Sequence, residues 1–264
     1  MIFTHSGNAG DIIFSLPTIT HLCNGEKKAV LYVKAKKYVY GNQCDFVKDF
    51  LLLQPAIKEV IPFTPSDNNW HFFNWPGLKF DYDLDIARNQ GQRGRIHIIK
   101  RYFDAFGIKK EHTRPFLTVD DRPSLKPEEK FALIHLTPRW NGLQYDWGRI
   151  YQQAKERHGS VYFVGFEAEW LDFCLRFGQI ENIHTENLLD IARLIRDCEA
   201  LYCGQGVCLT IAQGLGKEYW LVKNGTKTNC HLFTENEHLI GAEMLAPYHT
   251  FSELEKPDSH LKQR

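Results

Sequence analysis

Short apolar runs alternate with stretches of helical periodicity along most of this chain. In the first half, runs at 2–4, 30–33, 60–63 and 82–86 read as strands, and apolar residues recurring every three or four positions predict helices near 11–22, 44–53 and 95–106. Ile12, Ile13, Leu16, Ile19 and Leu22 give the first of these helices one apolar face. Residues 64–80 break the pattern with Trp70, Phe72, Phe73 and Trp75 among polar residues, and predict a long loop of the kind that often carries function. Residues 119–130, with Pro123, Pro127 and several acids, read as a linker. Beyond it the alternation restarts: strand 131–136, helix 146–157, strand 161–164, helices 167–176 and 187–197, strand 200–203, helix 207–215, strand 218–222. Strand–helix–strand order calls for a parallel sheet covered by helices on both faces. The expected fold is therefore α/β with two Rossmann-like domains, residues 1–118 and 131–264, and a cleft between them. No internal repeat or low-complexity tract interrupts it.

Within that pattern, Gly7-Asn8-Ala9-Gly10-Asp11 joins a short strand to the first helix and places a carboxylate where the helix begins. Asp is a favoured capping residue, which is one reading of Asp11. The other is a general base at the rim of a cleft, since ligands of open α/β sheets collect at the carboxyl ends of the strands.

Length and composition leave this picture intact. At 264 residues the chain suffices for two modest cores, and 43% apolar with 24% charged residues is ordinary for a soluble globular protein. No apolar run approaches the roughly 20 residues that span a bilayer, and no secretory leader pattern opens the sequence, so a cytoplasmic protein without membrane insertion is expected. Seven cysteines are odd in number and lack C-x-x-C spacing; they read as reduced, buried thiols rather than zinc ligands. The formal charge of zero hides an asymmetry: residues 1–118 carry 16 Lys and Arg against 11 Asp and Glu, and residues 119–264 carry 16 against 21. The excess is concentrated at 88–114, where Arg93, Arg95, Lys100 and Arg101 are interleaved with Tyr102 and Phe103. Such a run is either a solvated helix face or a patch for an anionic partner.

Several motifs, in order, resemble one family. Gly10-Asp11-x5-Pro17 resembles the N-terminal signature of the heptosyltransferase-like glycosyltransferases, family nine, of GT-B fold. The stretch from Ile134 to Asn141, followed by Tyr145-Asp146-Trp147, is similar to that family's strand and donor-phosphate loop. Val161 to Glu169 is similar to the strand and Gly-x-x-x-Glu turn that follow, and Leu188 to Gly206, running into Ile211 to Lys217, resembles the C-terminal donor motif. The likeness covers about residues 1–24 and 131–222. It implies Asp11 as catalytic base, Asn8 and Gly10 beside it on the acceptor side, and Thr137, Arg139, Asn141, Gly165, Glu167, Gln205, Gly206 and Val207 around a nucleotide-sugar donor. Two features depart from the family: Cys203-Gly204-Gln205-Gly206 stands where an acid usually precedes the last glycine, and Leu209 stands near the position of a downstream histidine. An ADP-heptose donor is therefore not implied.

Residue chemistry agrees with glycosyl transfer. The reaction needs a base for the acceptor hydroxyl and positive or dipolar groups for the leaving diphosphate. Asp11 supplies the first; Arg139, Lys223 and the helix start after Gly206 supply the second, with no metal ion or cofactor beyond the nucleotide sugar. Gly10, Gly204 and Gly206 read equally as turn glycines, Arg139 as a surface residue and Glu167 as a helix cap. Without a second carboxylate as covalent nucleophile, inversion at the anomeric carbon is expected. For the acceptor, Arg93, Arg95, Lys100 and Arg101 slightly favour a hydroxylated DNA base, as in phage-type DNA-modifying enzymes. A lipopolysaccharide-core or other surface glycan is the alternative. A dinucleotide oxidoreductase fits less well, because the first glycine turn is not G-x-G-x-x-G, and a noncatalytic nucleotide-sugar binding module is the remaining class.

Overall fold

The computed structural model describes residues 1–38, 41–64, 79–89, 96–109, 115–126, 130–137, 144–222, 230 and 235–241. The elements follow in the order β1 (Ile2–His5), α1 (Ala9–Cys23), β2 (Ala29–Lys34), a small hairpin of β3 (Lys37–Tyr38) and β4 (Gly41–Asn42), α2 (Gln43–Leu52), β5 (Ile57–Phe63), β6 (Tyr82–Asp83), α3 (Ile86–Asn89) and α4 (Ile98–Ala105). The second half contains β7 (Phe131–His135), α5 (Trp147–His158), β8 (Ser160–Phe163), α6 (Glu167–Phe177), α7 (Leu188–Asp197), β9 (Ala200–Cys203), α8 (Val207–Leu215), β10 (Tyr219–Val222) and β11 (Glu237–Ile240). The first sheet has the order β5-β2-β1-β6 and the second β11-β10-β9-β7-β8, with every pairing in both parallel.

Strand order locates the functional edges. In the first sheet the chain leaves β1 for β2 on one side, and β6 lies on the other. In the second it leaves β7 for β8 on one side, and β9 lies on the other. At such reversals the loops after neighbouring strands diverge and open a crevice at the carboxyl ends. The loops at these points are the Gly7–Gly10 turn in one sheet and the segments following β7 and β9 in the other.

Most expected elements recur within a residue or two. The strand expected at 60–63 begins earlier, at Ile57, the helix expected at 95–106 is described as Ile98–Ala105, and of 82–86 only Tyr82 and Asp83 pair with β1. Asp83 accepts the Asp85 N–H at 3.0 Å, so its side chain turns the chain into α3 instead of prolonging the strand. The aromatic stretch 65–78 lies outside the described residues. All seven cysteines are free; burial pushes the Cys44 thiol up to about 11 and the Cys198 thiol to about 12, which keeps both protonated at neutral pH. No helix among the described residues is long and apolar enough to cross a membrane.

One apolar cluster runs through both halves: Phe3 and Leu31 of the first sheet, Ile12 and Ile13 of α1, Leu194 of α7, Ile211 of α8, and Leu201 of the second sheet are all fully buried in it. A second cluster fills the far face of the β7–β9 sheet, with Trp147 and Ile150 of α5 and Phe173 of α6 over Ala132, Ile134 and Phe163. The segment joining the halves is fastened to the second. Phe116 and Leu117 donate their N–H groups to the Gly214 carbonyl at 2.8 and 3.1 Å. Arg193 grips Asp120 with both Nε and Nη2, at 2.8 and 2.6 Å, while Arg196 donates to the Asp120 and Arg122 carbonyls.

The Arg193 guanidinium holds the Asp120 carboxyl below its usual value. A lowered carboxylate adds stability above the unfolded-state value and loses it as pH falls through the folded one. Asp120→Asn is therefore expected to destabilise the protein by about 1–2 kcal/mol at pH 7, the range for a charge-assisted pair. In denaturant melts the gap between variant and wild type should close as pH falls below 4; a gap unchanged down to pH 3 would show that the carboxylate charge is not what fastens this segment.

Candidate active site

One wall of the cleft starts from the glycine turn. Gly7 donates its N–H to His5 Nδ1 at 2.8 Å, Ser6 donates its N–H to Asp85 at 3.0 Å, and Gln43 Nε2 donates to the Gly7 carbonyl at 2.9 Å. With Nδ1 accepting, the His5 proton lies on Nε2 and is donated to the Tyr102 hydroxyl at 2.7 Å, which donates in turn to the Asp11 carbonyl at 3.3 Å. A methyl at position 7 would stand 2.4 Å from His5 Cε1, so the turn accepts only glycine there. These bonds rest on buried His5, Gln43, Asp85 and Tyr102, where a lost partner is costly.

Asp11 occupies the third position of α1, and its Oδ2 accepts the Asn8 N–H at 3.3 Å. Asp11 thus caps α1 and also lines the cleft. Lys36 Nζ donates to Asn8 Oδ1 at 3.3 Å, placing an ammonium beside the same turn.

The facing wall comes from the second sheet. His135 and Thr137 follow β7, Gly165, Phe166 and Glu169 follow β8, and Gln205, Gly206 and Val207 lead from β9 into α8. The α8 start has no side-chain cap and no acid in its first turn, unlike α1, so its backbone dipole is not neutralised from within. Gly206 brings this start against a histidine: an added Cβ would lie 3.0 Å from His135 Nε2. His135 Nδ1 donates to the Val164 carbonyl at 2.9 Å. Complete burial works against a charge on this ring, but the Cys208 sulfur, the Glu169 carboxylate and the Val164 carbonyl outweigh it and push the imidazole up to about 9. These neighbours favour the protonated form of the ring beneath the α8 start.

The two walls enclose a cavity of about 420 Å³, within the usual range for small-molecule sites. Phe14, Phe46, Ile98, Phe166 and Ile191 supply its apolar surface, and Phe46 meets Phe166 across the cleft at 6.5 Å between ring centres. Asn8, Gly10, Asp11, Thr137, Gly165, Gln205, Gly206 and Val207 all line it, as expected from the sequence. Glu167 does not. It begins α6 and points to solvent, whereas Glu169, two positions on, reaches back to accept the Phe166 N–H at 3.1 Å and faces the cavity. In a capping box the acid at the third helical position turns inward, not the one at the first.

The basic segment also divides. Lys100 is exposed and paired with Asp104 at 2.7 Å. Arg101 is buried and donates to the Ala87 carbonyl at 2.8 Å, which removes it from a surface for polymer phosphates. Arg93, Arg95, Arg139, Asn141 and Lys223 lie outside the described residues. Sequence reasoning missed Lys36, Gln43, His135, Glu169 and Thr185. His135 and Glu169 had a signal, standing at a strand end and at the third position of a capped helix; Lys36, Gln43 and Thr185 had none.

No family model matches the chain, and neither does any curated protein sequence. Solved structures do. The glycosyl transferase family 9 protein from Veillonella parvula DSM 2008 superposes with a TM-score of 0.62 at 10% identity, covering 90% of this chain and 84% of its own. The E. coli ADP-heptose lps heptosyltransferase II gives 0.59 at 14% identity over 90% and 89%. E. coli heptosyltransferase WaaC, solved with ADP-2-deoxy-2-fluoro heptose, gives 0.57 at 12% identity over 90% and 92%. At such identities the shared property is architecture: the chain has the GT-B fold, two Rossmann-like domains with parallel sheets facing across a cleft.

Proposed function

We propose that this protein is an inverting glycosyltransferase that moves a hexosyl or pentosyl group from a nucleoside-diphosphate sugar to an acceptor hydroxyl. The observation that carries this reading is the pairing across one cavity of Asp11 with the uncapped start of α8. One wall offers a carboxylate and the other offers backbone N–H groups with the His135 imidazole, pushed up to about 9, beneath them. The acceptor oxygen loses its proton to Asp11 and attacks the anomeric carbon; the bond from that carbon to the diphosphate breaks, and the diphosphate leaves with its pair of electrons toward α8 and His135. A single displacement inverts the centre. In this reading the helix dipole and the imidazolium stabilise the leaving group, and no metal ion is required.

For the acceptor, a surface glycan of the lipopolysaccharide-core kind is the reading with more support, from neighbours described as heptosyltransferases. The DNA-base reading loses ground, because Lys100 and Arg101, two of its four phosphate contacts, are engaged in a helix-face pair and a buried bond. Offering hydroxymethylated duplex DNA and core oligosaccharides side by side with a panel of nucleotide sugars separates the two. Transfer to neither, with donor bound, would sink the enzymatic reading.

Two outcomes test the site. Asp11→Asn should cut turnover by about two to four orders of magnitude, the usual reach of a general base, while nucleotide-sugar affinity measured by calorimetry stays near wild type; near wild-type turnover on a true acceptor would reject Asp11 as the base.

On the donor side, nucleoside-diphosphate affinity should fall as pH rises through about 9, where His135 loses its charge. His135→Gln should bind more weakly at pH 7 and lose that dependence. Gly206→Val, which forces a side chain onto the His135 ring, should weaken binding by about tenfold or more. Wild-type affinity that is flat from pH 7 to 10, with both variants unimpaired, would remove the α8 start as the diphosphate site.

A further inference from the structure

We infer that Lys36 is a positioning residue for the catalytic carboxylate, acting through Asn8 and Gln43 on the turn that carries Asp11. This inference rests on the assignment of Asp11 as base. Lys36 holds that turn at two points. Its ammonium donates to Asn8 Oδ1 at 3.3 Å, and the Asn8 N–H is in turn bonded to Asp11 Oδ2 at 3.3 Å. Its backbone carbonyl accepts the Gln43 N–H at 2.9 Å, and the Gln43 amide donates to the Gly7 carbonyl at 2.9 Å. The two paths leave one residue and end on Gly7 and Asn8, so the turn is clamped from both its main-chain and its side-chain side.

The elements explain why a lysine serves here. Lys36 lies between β2 and the β3–β4 hairpin, beyond the carboxyl end of β2, the strand paired with β1. A short side chain from that loop would not reach the start of α1, and a long apolar one could not donate to Asn8. Gln43, fully buried as the first residue of α2, fixes the other path in place. The ammonium donates to the side chain of the N-cap residue, so it holds the start of α1 from outside the helix. Among the described residues around Asp11, Tyr102 bonds its carbonyl, Cys208 and Cys230 line the same cavity, His135 and Glu169 stand on the opposite wall, and His97 packs its ring on Phe14.

The test combines a substrate-free readout with turnover. Lys36→Met removes the charge and the donor while keeping a long side chain; Lys36→Arg keeps both. In Lys36→Met the Asn8 amide should exchange its proton with solvent about tenfold faster than in wild type, because the carboxylate that accepts it is no longer held. Transfer kcat should fall about 10- to 100-fold with donor KM unchanged, the scale of a displaced catalytic group. Lys36→Arg should regain most of both. Should the methionine variant not fold, Lys36→Leu, which also lacks charge and donor, takes its place, with the same expectations. Wild-type amide exchange together with wild-type kcat would overturn the inference, and so would a raised donor KM at unchanged kcat, which would make Lys36 a donor contact. Should Asp11→Asn instead retain turnover, the base assignment fails, and the exchange rate at Asn8 still decides whether Lys36 holds the turn.

Discussion

The first backbone N–H groups of an α-helix have no partner within the helix, and the cleft of this protein is organised around two such starts that face one another. The first turn of α1 packs against that of α8, with Gly10 opposite Val207 and Thr210. α1 meets its own need with Asp11, whose carboxylate takes the Asn8 N–H; α8 begins at Gly206 and brings no acid of its own. The same physical requirement is met by Asp11 on one wall and by no side-chain cap or acid in the first turn on the other.

Holding those walls at a fixed separation falls to packing rather than to polar contacts. α1 and α2 lie against α8 and α7 in one continuous apolar cluster, so the two sheets share a core although each has its own strand order. The stretch from Phe116 to Ser124 runs along α8 and α7, fastened by the Gly214 carbonyl, by Arg193 and Arg196, and by the Ser124 N–H on Asp197. A large shared apolar face disfavours free rotation of one half against the other. Phe46 and Phe166, one from each half, meet at the cavity wall, where a change in separation would be felt first.

Polar precision is confined to the turns. Around Gly7 the backbone is held by His5, Gln43 and Asp85, all buried, and each bond fixes a main-chain atom within one or two residues of Asn8. On the facing wall the tautomer and orientation of His135 follow from its bond to the Val164 carbonyl. Buried hydrogen bonds of this kind add little net stability but exclude alternative geometries, since every alternative leaves a buried group unpaired.

Much of this was legible in the chain itself. Apolar runs and periodicity located nearly all the strands and helices, because burial on one face or two leaves a local record, and the glycine turn with Asp11 marked the strand–loop–helix junction. What periodicity could not register was the end of β6, where a single Asp83 side chain turns the backbone, or the short elements β3, β4, α3 and β11. The motif from Val161 to Glu169 marked the turn after β8, yet Glu167 rather than Glu169 was expected at the site, and which of the two lines the cavity follows from the helical position that faces back over the preceding turn. The charge run at 88–114 looked like one patch in sequence, and the fold buried Arg101 while leaving Lys100 in solvent, as successive helical residues point about 100° apart. Lys36 and Gln43 were silent in sequence because their meaning is a distance: they lie more than 25 residues from the turn they hold, and only the pairing of β2 beside β1 brings them to it. Most of the elements and the chemistry of single residues were thus legible because they depend on local order, whereas the charges that meet across the cleft were not, because their meeting depends on the packing of α1 on α8.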